Sequence, residues 1–207
     1  MTRRIRRGHL ERLVKITSEV TLPVVQIDKK WCEWSSHSVR RYMLEGELEQ
    51  LLALINSVGP SSMIEFGVNE GRTAIAVLKN FPDIDLYVGV DVEFNHQLEI
   101  SAQQYEVPKE PGWMVKGDQR FQLILREEND ENITGLFDIA FIDGDHGKHH
   151  VLKDYKLAKR LVRQGGVIIF HDYTNPTVEV TEVLDRLHND GTDLKHVEGT
   201  WLAFEYV

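Results

Sequence analysis

The chain has 207 residues, of which 42% are hydrophobic and 28% are charged. This length favours one large domain over a two-domain enzyme, and the composition is that of an ordinary globular chain. With 33 acidic and 24 basic residues the net charge is -9, which disfavours broad binding to nucleic acid or anionic lipid. No window approaches the ~18 uncharged apolar residues that a membrane span needs. A single cysteine, Cys32, and the absence of a secretory signal predict a cytosolic protein.

Residues 1 to 60 carry little pattern and predict an N-terminal helical segment, which we separate from the remainder, 61 to 207, near Gly59-Pro60. The arginines at residues 3 to 7 indicate a solvated terminus rather than a nucleic-acid arm. This segment is a candidate acceptor lid or contact in a homo-oligomer, and Trp31 and Trp34 are candidates to line an acceptor pocket. A helix from Arg41 to Ile55 is predicted from apolar residues at offsets of four, three and four: Leu44, Leu48, Leu51 and Ile55.

After residue 60, short β-rich runs alternate with helical runs, which is typical of a parallel sheet covered by helices. One helix is predicted between residues 151 and 163, ended by Gly165-Gly166, and another between residues 178 and 187. The last two strand candidates, DLKHVEG and TWLAFEYV, predict a C-terminal hairpin. The five earlier strand candidates are MIEFGV, DLYVGVDV, GWMVKGD, DIAFIDG and GGVIIFHDY.

An acid or a histidine lies at the end of each of these five strand candidates. In an open parallel sheet, ligands bind outside the carboxyl ends of the strands. Burying unpaired carboxylates in a core is costly, so packing does not explain this pattern, whereas a shared ligand site does. The residues are Glu65, Asp91, Asp118, Asp143 with Asp145 and His146, and His171 with Asp172.

The loop EFGVNEGRT indicates which ligand binds at the first strand. Its spacing, Gly67-x-x-x-Gly71, lacks the second glycine of the dinucleotide fingerprint, and Glu65 would repel a phosphate but attract an ammonium group. The N-terminus of the following helix suits a carboxylate, so the loop favours an amino acid. Asp91, twenty residues after Gly71, can accept hydrogen bonds from ribose hydroxyls. An amino acid joined to a ribose describes S-adenosylmethionine.

With these motifs the sequence resembles the class I S-adenosylmethionine-dependent methyltransferases, over roughly the last two thirds of the chain. The resemblance implies an α/β fold: a Rossmann-like, doubly wound, mostly parallel seven-stranded sheet with a C-terminal antiparallel hairpin and helices on both faces. It implies that Asp91 holds the ribose and that Asp118 and Gln119 lie beside the adenine. For Asp118 alone, a turn-forming role after a strand is the alternative. The loop residues implied to bind the methionyl end are Glu65, Gly67, Asn69 and Gly71.

A narrower resemblance is carried by FDIAFIDGDH and GGVIIFHDY, which are similar to metal-dependent small-molecule O-methyltransferases such as the catechol and caffeoyl-coenzyme A enzymes. The resemblance implies a divalent cation held by Asp143, His171 and Asp172. The chain departs from the catechol pattern in two places. A His-Asp pair replaces the usual Asp-Asn, and His146 replaces a catalytic lysine.

The chemistry implied is transfer of a methyl group to an acceptor oxygen made nucleophilic. A cation would lower the pKa of the acceptor hydroxyl, and an imidazole among its ligands favours Mn, Fe or Zn over Mg. His146, close in sequence to Asp143, is predicted to be the general base, because an ordinary histidine pKa suits neutral pH. His171 and Asp172 have a structural alternative as a hydrogen-bonded pair. Asp145 is expected to cap a helix, and His149 and His150 are expected to face solvent.

The sequence therefore predicts an O-methyltransferase for a small hydroxylated acceptor. One alternative is a methyltransferase acting on protein or nucleic acid, although Asn175-Pro176 is followed by Thr177 and forms no Asn-Pro-Pro-aromatic motif. Another is a domain that binds the cofactor without catalysis. A nicotinamide-dependent oxidoreductase is disfavoured by Glu65 and by the missing central glycine.

Overall fold

The computed structural model describes residues 14–23, 26, 28, 43–44, 46–93, 96, 98–100, 106, 108–126 and 133–207. The arginine run, Trp31, Cys32 and Trp34 lie outside these ranges, and so do two residues at the start of the predicted first helix, 41 and 42. No helix within the ranges has the length and apolar character that crossing a bilayer requires.

The core of the protein is one eight-stranded sheet. Its spatial order is β1-β7-β8-β6-β5-β2-β3-β4, and only the contacts of β8 with β6 and β7 are antiparallel. The predicted fold class and the C-terminal hairpin are confirmed, with one strand more than expected. The strands are β1 (Glu19–Val20), β2 (Ser62–Phe66), β3 (Leu86–Val92), β4 (Phe121–Arg126), β5 (Phe137–Ile142), β6 (Val162–Phe170), β7 (Lys195–Val197) and β8 (Ala203–Tyr206).

Four helices are described from end to end: α1 (Glu47–Val58), α2 (Arg72–Asn80), α3 (Lys148–Leu161) and α4 (Val180–Asn189). The predicted end of α1 is confirmed, since Gly59 follows it in the left-handed conformation with φ 59°. The predicted end of α3 is wrong, because Val162 already begins β6 and Gly165 and Gly166 lie inside that strand. The two glycines lie where the register between β5 and β6 shifts. Gly165 has φ 80°, and a Cβ on Gly166 would overlap the carbonyl oxygen of Asp138, so both positions require glycine.

Two hydrophobic clusters cover the two faces of the sheet, as the alternation of side chains along its strands requires. Even-numbered residues of β2, such as Ile64 and Phe66, pack with Leu161 of α3 and Leu184 of α4. The odd-numbered Met63 faces the other way, toward the cluster that contains α1 and α2. Glu65 has the same parity as Met63, so its carboxylate lies on the α1 and α2 side.

The additional strand β1 comes from the N-terminal segment. Glu19 and Val20 pair in parallel with β7 at one edge of the sheet. Ahead of it, the buried hydroxyl of Tyr173 accepts a hydrogen bond from the backbone N–H of Ile16 at 2.9 Å. Part of the segment expected to lie outside the sheet is thus integrated into it.

The third strand prediction is wrong. Residues 111–117 form turns, with Gly112 at φ 70°, and the strand that pairs with β3 is β4. Tyr87 pairs with Phe121, so the chain just before Phe121 lies at the amino end of β3. The β-rich composition of GWMVKGD suggested a strand, but the left-handed glycine allows the chain to turn there.

Candidate active site

The register of the sheet brings the ends of four neighbouring strands to one level. Three ladder hydrogen bonds continue past the strand ends, from Gly67 N–H to Val90 O, from Asp143 N–H to Phe66 O and from His171 N–H to Ile142 O. From β2 the chain adds β3 and β4 on one side of the sheet, and it then returns to add β5 and β6 on the other side of β2. The order of the strands therefore reverses at the boundary between β2 and β5. Such a switch point is where open α/β sheets bind ligands. The residues at this level are Gly67, Asp91, Asp143 and His171.

The turn after β2 requires glycine at two positions. Gly67 has φ 91°, and a Cβ on it would overlap the carbonyl oxygen of Asp143. Gly71 has φ 89°, and a Cβ there would lie 3.0 Å from a methyl group of Val115. Both glycines therefore allow close packing against neighbouring segments of the chain. Between them, Asn69 adopts φ 47°, and its buried Oδ1 has no hydrogen-bond partner among the residues described.

Glu65 is buried inside the strand that precedes this turn, with 1% of its surface exposed. The hydroxyl of Tyr87 on β3 donates a hydrogen bond to Glu65 Oε2 at 2.8 Å. Burial raises the pKa of Glu65 to about 8, and the negative charges of Asp143 and Asp91 act in the same direction. A buried carboxyl with this pKa is suited to a cationic partner, which would stabilise its ionised form.

Asp91 fixes the glycine turn against β3. Its Oδ2 accepts a hydrogen bond from Asn69 N–H at 2.6 Å, and its Oδ1 accepts one from Val92 N–H at 2.7 Å. A carboxylate has about four lone-pair positions, so both oxygens can accept further hydrogen bonds. This capacity suits two neighbouring hydroxyls of a ribose.

Asp118 and Gln119 are not brought to this level, because they precede β4 and lie at the amino end of the sheet. Asp118 Oδ2 accepts a hydrogen bond from Arg120 at 2.7 Å, and this bond lowers the pKa of the Asp118 carboxyl. Arg120 also donates to Leu78 O at 2.8 Å. The strand that was expected to end at Asp118 is absent, so the structure does not bring Asp118 and Gln119 to the level of Glu65 and Asp91, and their contact with an adenine stays a prediction.

A cluster of metal-ligand type forms where β5 and β6 end. One ligand atom from each of Asp143, His146 and Asp172 lies within 4.8 Å of the others. His146 Nε2 is 2.9 Å from Asp172 Oδ2 and 4.0 Å from Asp143 Oδ1. Asp143, His146 and His171 line a small pocket together with Phe170 and Val180.

His171 lies behind this cluster and is 3% exposed. Its Nδ1 is 2.9 Å from Asp143 Oδ1, and its Nε2 is 3.2 Å from Glu47 Oε2. Although burial opposes the charged form, Asp143 raises the pKa of His171 well above its ordinary value. Both ring nitrogens lie close to carboxylates, and the cluster of ligand atoms contains His146 rather than His171. The role of His171 as a metal ligand stays a prediction.

Asp172 is held in a strained backbone conformation, with φ 63°. The side chain of Asn175 donates to Asp172 Oδ1 at 2.5 Å. Although burial opposes it, the nearby imidazoles of His146 and His171 hold the pKa of Asp172 far below its ordinary range. The strain and these contacts direct Asp172 Oδ2 toward the cluster.

His146 does not have the ordinary pKa on which its prediction as a general base rested. Asp143 and Asp172 raise the pKa of His146 to about 10, so its ring is protonated at neutral pH in this arrangement. A protonated imidazole cannot accept a proton from an acceptor hydroxyl. In this arrangement His146 is paired with the two carboxylates, and its ring must lose a proton before it can act as a base or bind a cation.

The two expectations for the loop after His146 differ in outcome. Asp145 Oδ1 accepts a hydrogen bond from Gly147 N–H at 2.8 Å, but Gly147 itself is the N-cap of α3, and the helix has no side-chain cap. His149 and His150 are exposed, as expected. Asp145 therefore stabilises the turn that leads into α3.

Three residues that contact the site were not found from the sequence: Tyr87, Asn175 and Glu47. Asn175 precedes a proline in a polar loop, which is a recognisable turn signal. Tyr87 and Glu47 belong to a strand and a helix in which they have no distinguishing pattern, and their partners are 22 and 124 residues away.

Comparison with known proteins identifies the family. Residues 64–173, more than half of the chain, match the family model described as "Methyltransferase domain". The chain belongs to this methyltransferase family. The match begins inside β2 and ends just after Asp172. It therefore contains Glu65, Asp91 and the cluster of Asp143, His146 and Asp172, called the cation cluster below.

Two curated proteins resemble this methyltransferase in sequence. Tricin synthase 2 of Oryza sativa subsp. japonica is 34% identical over 134 residues, which are 61% of this chain and 42% of the rice protein. Probable caffeoyl-CoA O-methyltransferase 3 of Dictyostelium discoideum is 25% identical over 170 residues, 76% of this chain and 63% of that protein. The chain spans about half the length of the curated relatives it matches.

Solved structures share the fold of this methyltransferase at low sequence identity. The O-methyltransferase TomG from Streptomyces achromogenes, in complex with SAM, has a TM-score of 0.57 at 14% identity, covering 89% of this chain and 92% of TomG. The SAH-bound Podospora anserina methyltransferase PaMTH1 has a TM-score of 0.59 at 13% identity, covering 86% of each chain.

Proposed function

We propose that this protein is an S-adenosylmethionine-dependent O-methyltransferase that acts on a small hydroxylated acceptor. The observation that carries the proposal is the row of Glu65, Asp91 and Asp143 at the switch point of the sheet, around a turn that lacks the second dinucleotide glycine. The names of the relatives support it, because tricin synthase and the caffeoyl-CoA enzyme are named for small-molecule products or acceptors. A small-molecule partner and a cytosolic location fit the composition.

The cofactor would bind by charge and hydrogen-bond complementarity. The ammonium group of its methionyl part would face Glu65, whose carboxyl ionises more readily beside a cation. The ribose hydroxyls would donate hydrogen bonds to Asp91. Asp143, which the register holds at the same level, would face the methyl-donor end of the cofactor.

The cation cluster fits a divalent metal. The buried Nε2 of His146 has no hydrogen-bond partner among the described residues, although a carboxylate oxygen is 2.9 Å away. A cation between them would satisfy both atoms, and Asp143, His146 and Asp172 would hold it. Two carboxylates with one imidazole suit Mn, Fe or Zn better than Mg. When bound, the ion supplies Lewis acidity that lowers the pKa of an acceptor hydroxyl.

The protein's own groups orient the acceptor. The side chain of Asp143 is 23% exposed, whereas that of Asp172 is 6% exposed. Asp143 is therefore the carboxylate that an acceptor hydroxyl can reach as a hydrogen-bond donor. His171 behind it keeps this carboxylate in place, and the apolar Phe170 and Val180 exclude water from the cavity wall.

Calorimetry with S-adenosylhomocysteine tests the cofactor assignment directly. We expect binding to the wild-type protein, and binding of NADH instead would overturn the proposal. Transfer of a labelled methyl group from S-adenosylmethionine to a panel of catechols, flavones and hydroxycinnamoyl compounds then tests the acceptor class. Binding without transfer to any hydroxylated compound would favour a cofactor-binding protein without O-methyltransferase activity.

A further inference from the structure

Glu47, the first residue of α1, is a completely buried carboxylate at the back of the proposed active site. Its Oε2 accepts a hydrogen bond from Leu44 N–H at 2.7 Å, and its Oε1 accepts one from Trp201 N–H. His171 Nε2 lies 3.2 Å from Oε2. Among the described residues no lysine or arginine pairs with Glu47. A buried carboxylate is costly without compensating partners, so these three donors are what stabilise it.

The ring of His171 connects Glu47 to the cation cluster. An ionised carboxylate can only accept hydrogen bonds, and carboxylates face both ring nitrogens: Glu47 at Nε2, and Asp143 and Asp172 at Nδ1, at 2.9 and 3.3 Å. Glu47 and the two aspartates therefore hold the ring of His171 from opposite sides. The orientation of its ring is fixed at one end by Glu47 and determines, at the other end, where the two aspartates lie.

Glu47 also joins separate parts of the chain at this point. Leu44 belongs to the segment that leads into α1, and Trp201 lies in the connection between β7 and β8. The ring of Trp201 contacts the ring of His171 edge-on, with centroids 6.2 Å apart. One carboxylate thus holds the start of α1, the C-terminal hairpin and the imidazole in a single arrangement.

We propose that Glu47 is a positioning residue of the active site, which acts through His171 to hold Asp143 and Asp172 at the spacing that a cation requires. The role of its partners in binding a cation rests on the proposed function. The geometric part, the orientation of His171 by Glu47, does not.

Glu47→Gln tests the proposal, because an amide cannot accept hydrogen bonds at both ends and one of the three donors loses its partner. We expect Mn²⁺ binding, followed by electron paramagnetic resonance, to weaken about 10- to 100-fold, the range for loss of an outer-shell partner. Affinity for S-adenosylhomocysteine should stay within about twofold of wild type, since its proposed contacts lie at Glu65 and Asp91. Glu49→Gln is the matched control, with the same charge change on the same helix, and should match wild type in both measurements.

A ligand-free measurement keeps the proposal testable if Glu47→Gln fails to fold. Nuclear Overhauser spectra of the wild-type protein, with the His171 ring assigned from a His171→Gln variant, should place that ring against Trp201 and the start of α1. A wild-type His171 ring that lies away from Trp201 and α1 would overturn the proposal, and so would wild-type Mn²⁺ affinity in Glu47→Gln. If the wild-type protein binds neither Mn²⁺ nor S-adenosylhomocysteine, the proposed function fails, while the His171 spectrum still decides the role of Glu47.

Discussion

The two ends of strand β5 each carry an aspartate, and the surroundings of these two carboxylates differ in charge and in hydrogen-bond donors. At the amino end, Asp138 Oδ2 accepts hydrogen bonds from the N–H groups of Ser61 at 2.6 Å and Ser62 at 2.9 Å, and Asp138 Oδ1 pairs with Arg163. Although burial opposes it, these donors lower the pKa of Asp138 to about 2. At the carboxyl end, Asp143 faces histidines, a second aspartate and, through space, Glu65.

This contrast distinguishes acids whose charge is stabilised within the fold from acids that lie at the proposed ligand site. Asp138 has neutral and cationic donors on several sides, so its charge is stabilised by the protein itself. At the other end of the sheet the pKa of Glu65 is raised to about 8, and His146 Nε2 has no hydrogen-bond partner within the described ranges. Perturbed groups gathered at the ligand-binding end of an α/β sheet are typical of a functional site.

The largest expected effect is at Asp143. Asp143→Asn should lower methyl transfer by more than about 100-fold, because removing a direct ligand should exceed the 10- to 100-fold cost of losing an outer-shell partner. The unfolding free energy should change less than in Asp138→Asn, at the other end of the same strand. Turnover and urea denaturation measured on both variants check this. Full turnover in Asp143→Asn would remove the distinction between the two ends of β5.

The next largest effect is at Asp91. Asp91→Ala should weaken S-adenosylhomocysteine binding about 100-fold in calorimetry, because two hydrogen bonds to a charged acceptor are lost. Asp118→Ala should retain wild-type affinity, since Asp118 pairs with Arg120 at the amino end of the sheet. Loss of affinity in Asp118→Ala would instead support the adenine contact that the sequence predicted.

A smaller effect is expected from pH. In the empty protein Glu65, with a pKa of about 8, is protonated at neutral pH and must ionise to face an ammonium group. Binding then releases a proton, so affinity for S-adenosylhomocysteine should rise by up to about tenfold per unit between about pH 6 and pH 7.5. Calorimetry in buffers of different ionisation enthalpy measures this proton. Glu65→Gln should bind more weakly and without this pH dependence, and an unchanged slope would contradict the assignment.

The smallest effect on the reaction is expected at Asp138. Asp138→Asn should destabilise the fold by about 2 kcal/mol at neutral pH, the equivalent of lowering an aspartate pKa from 3.8 to about 2. Because the folded pKa is depressed, this stability is present above about pH 4 and is lost as the pH falls toward 2. Urea denaturation at neutral and acidic pH should show the two proteins converging. Turnover of the folded variant should match wild type.

Local patterns in the sequence were sufficient for much of the fold and for part of the site. Alternation of strands and helices predicted the sheet, and Gly59 marked the end of α1. The strand ends at Glu65, Asp91 and Asp143 were correctly expected at one edge, because parallel strands in register bring their carboxyl ends together. The prediction of a strand over GWMVKGD was wrong. Its composition suits a strand, but Gly112 adopts φ 70°, which belongs to a turn.

The sequence by itself determined the alternating architecture and the edge of the sheet where the acids collect, since both follow from periodicity and strand direction. Only the tertiary structure decided which histidine faces the two aspartates from the partly exposed side, and which lies buried behind them. That choice depends on Glu47, which is 124 residues from His171 along the chain. Hydrogen bonds between side chains so far apart depend on packing of α1 against the sheet, which no local pattern specifies.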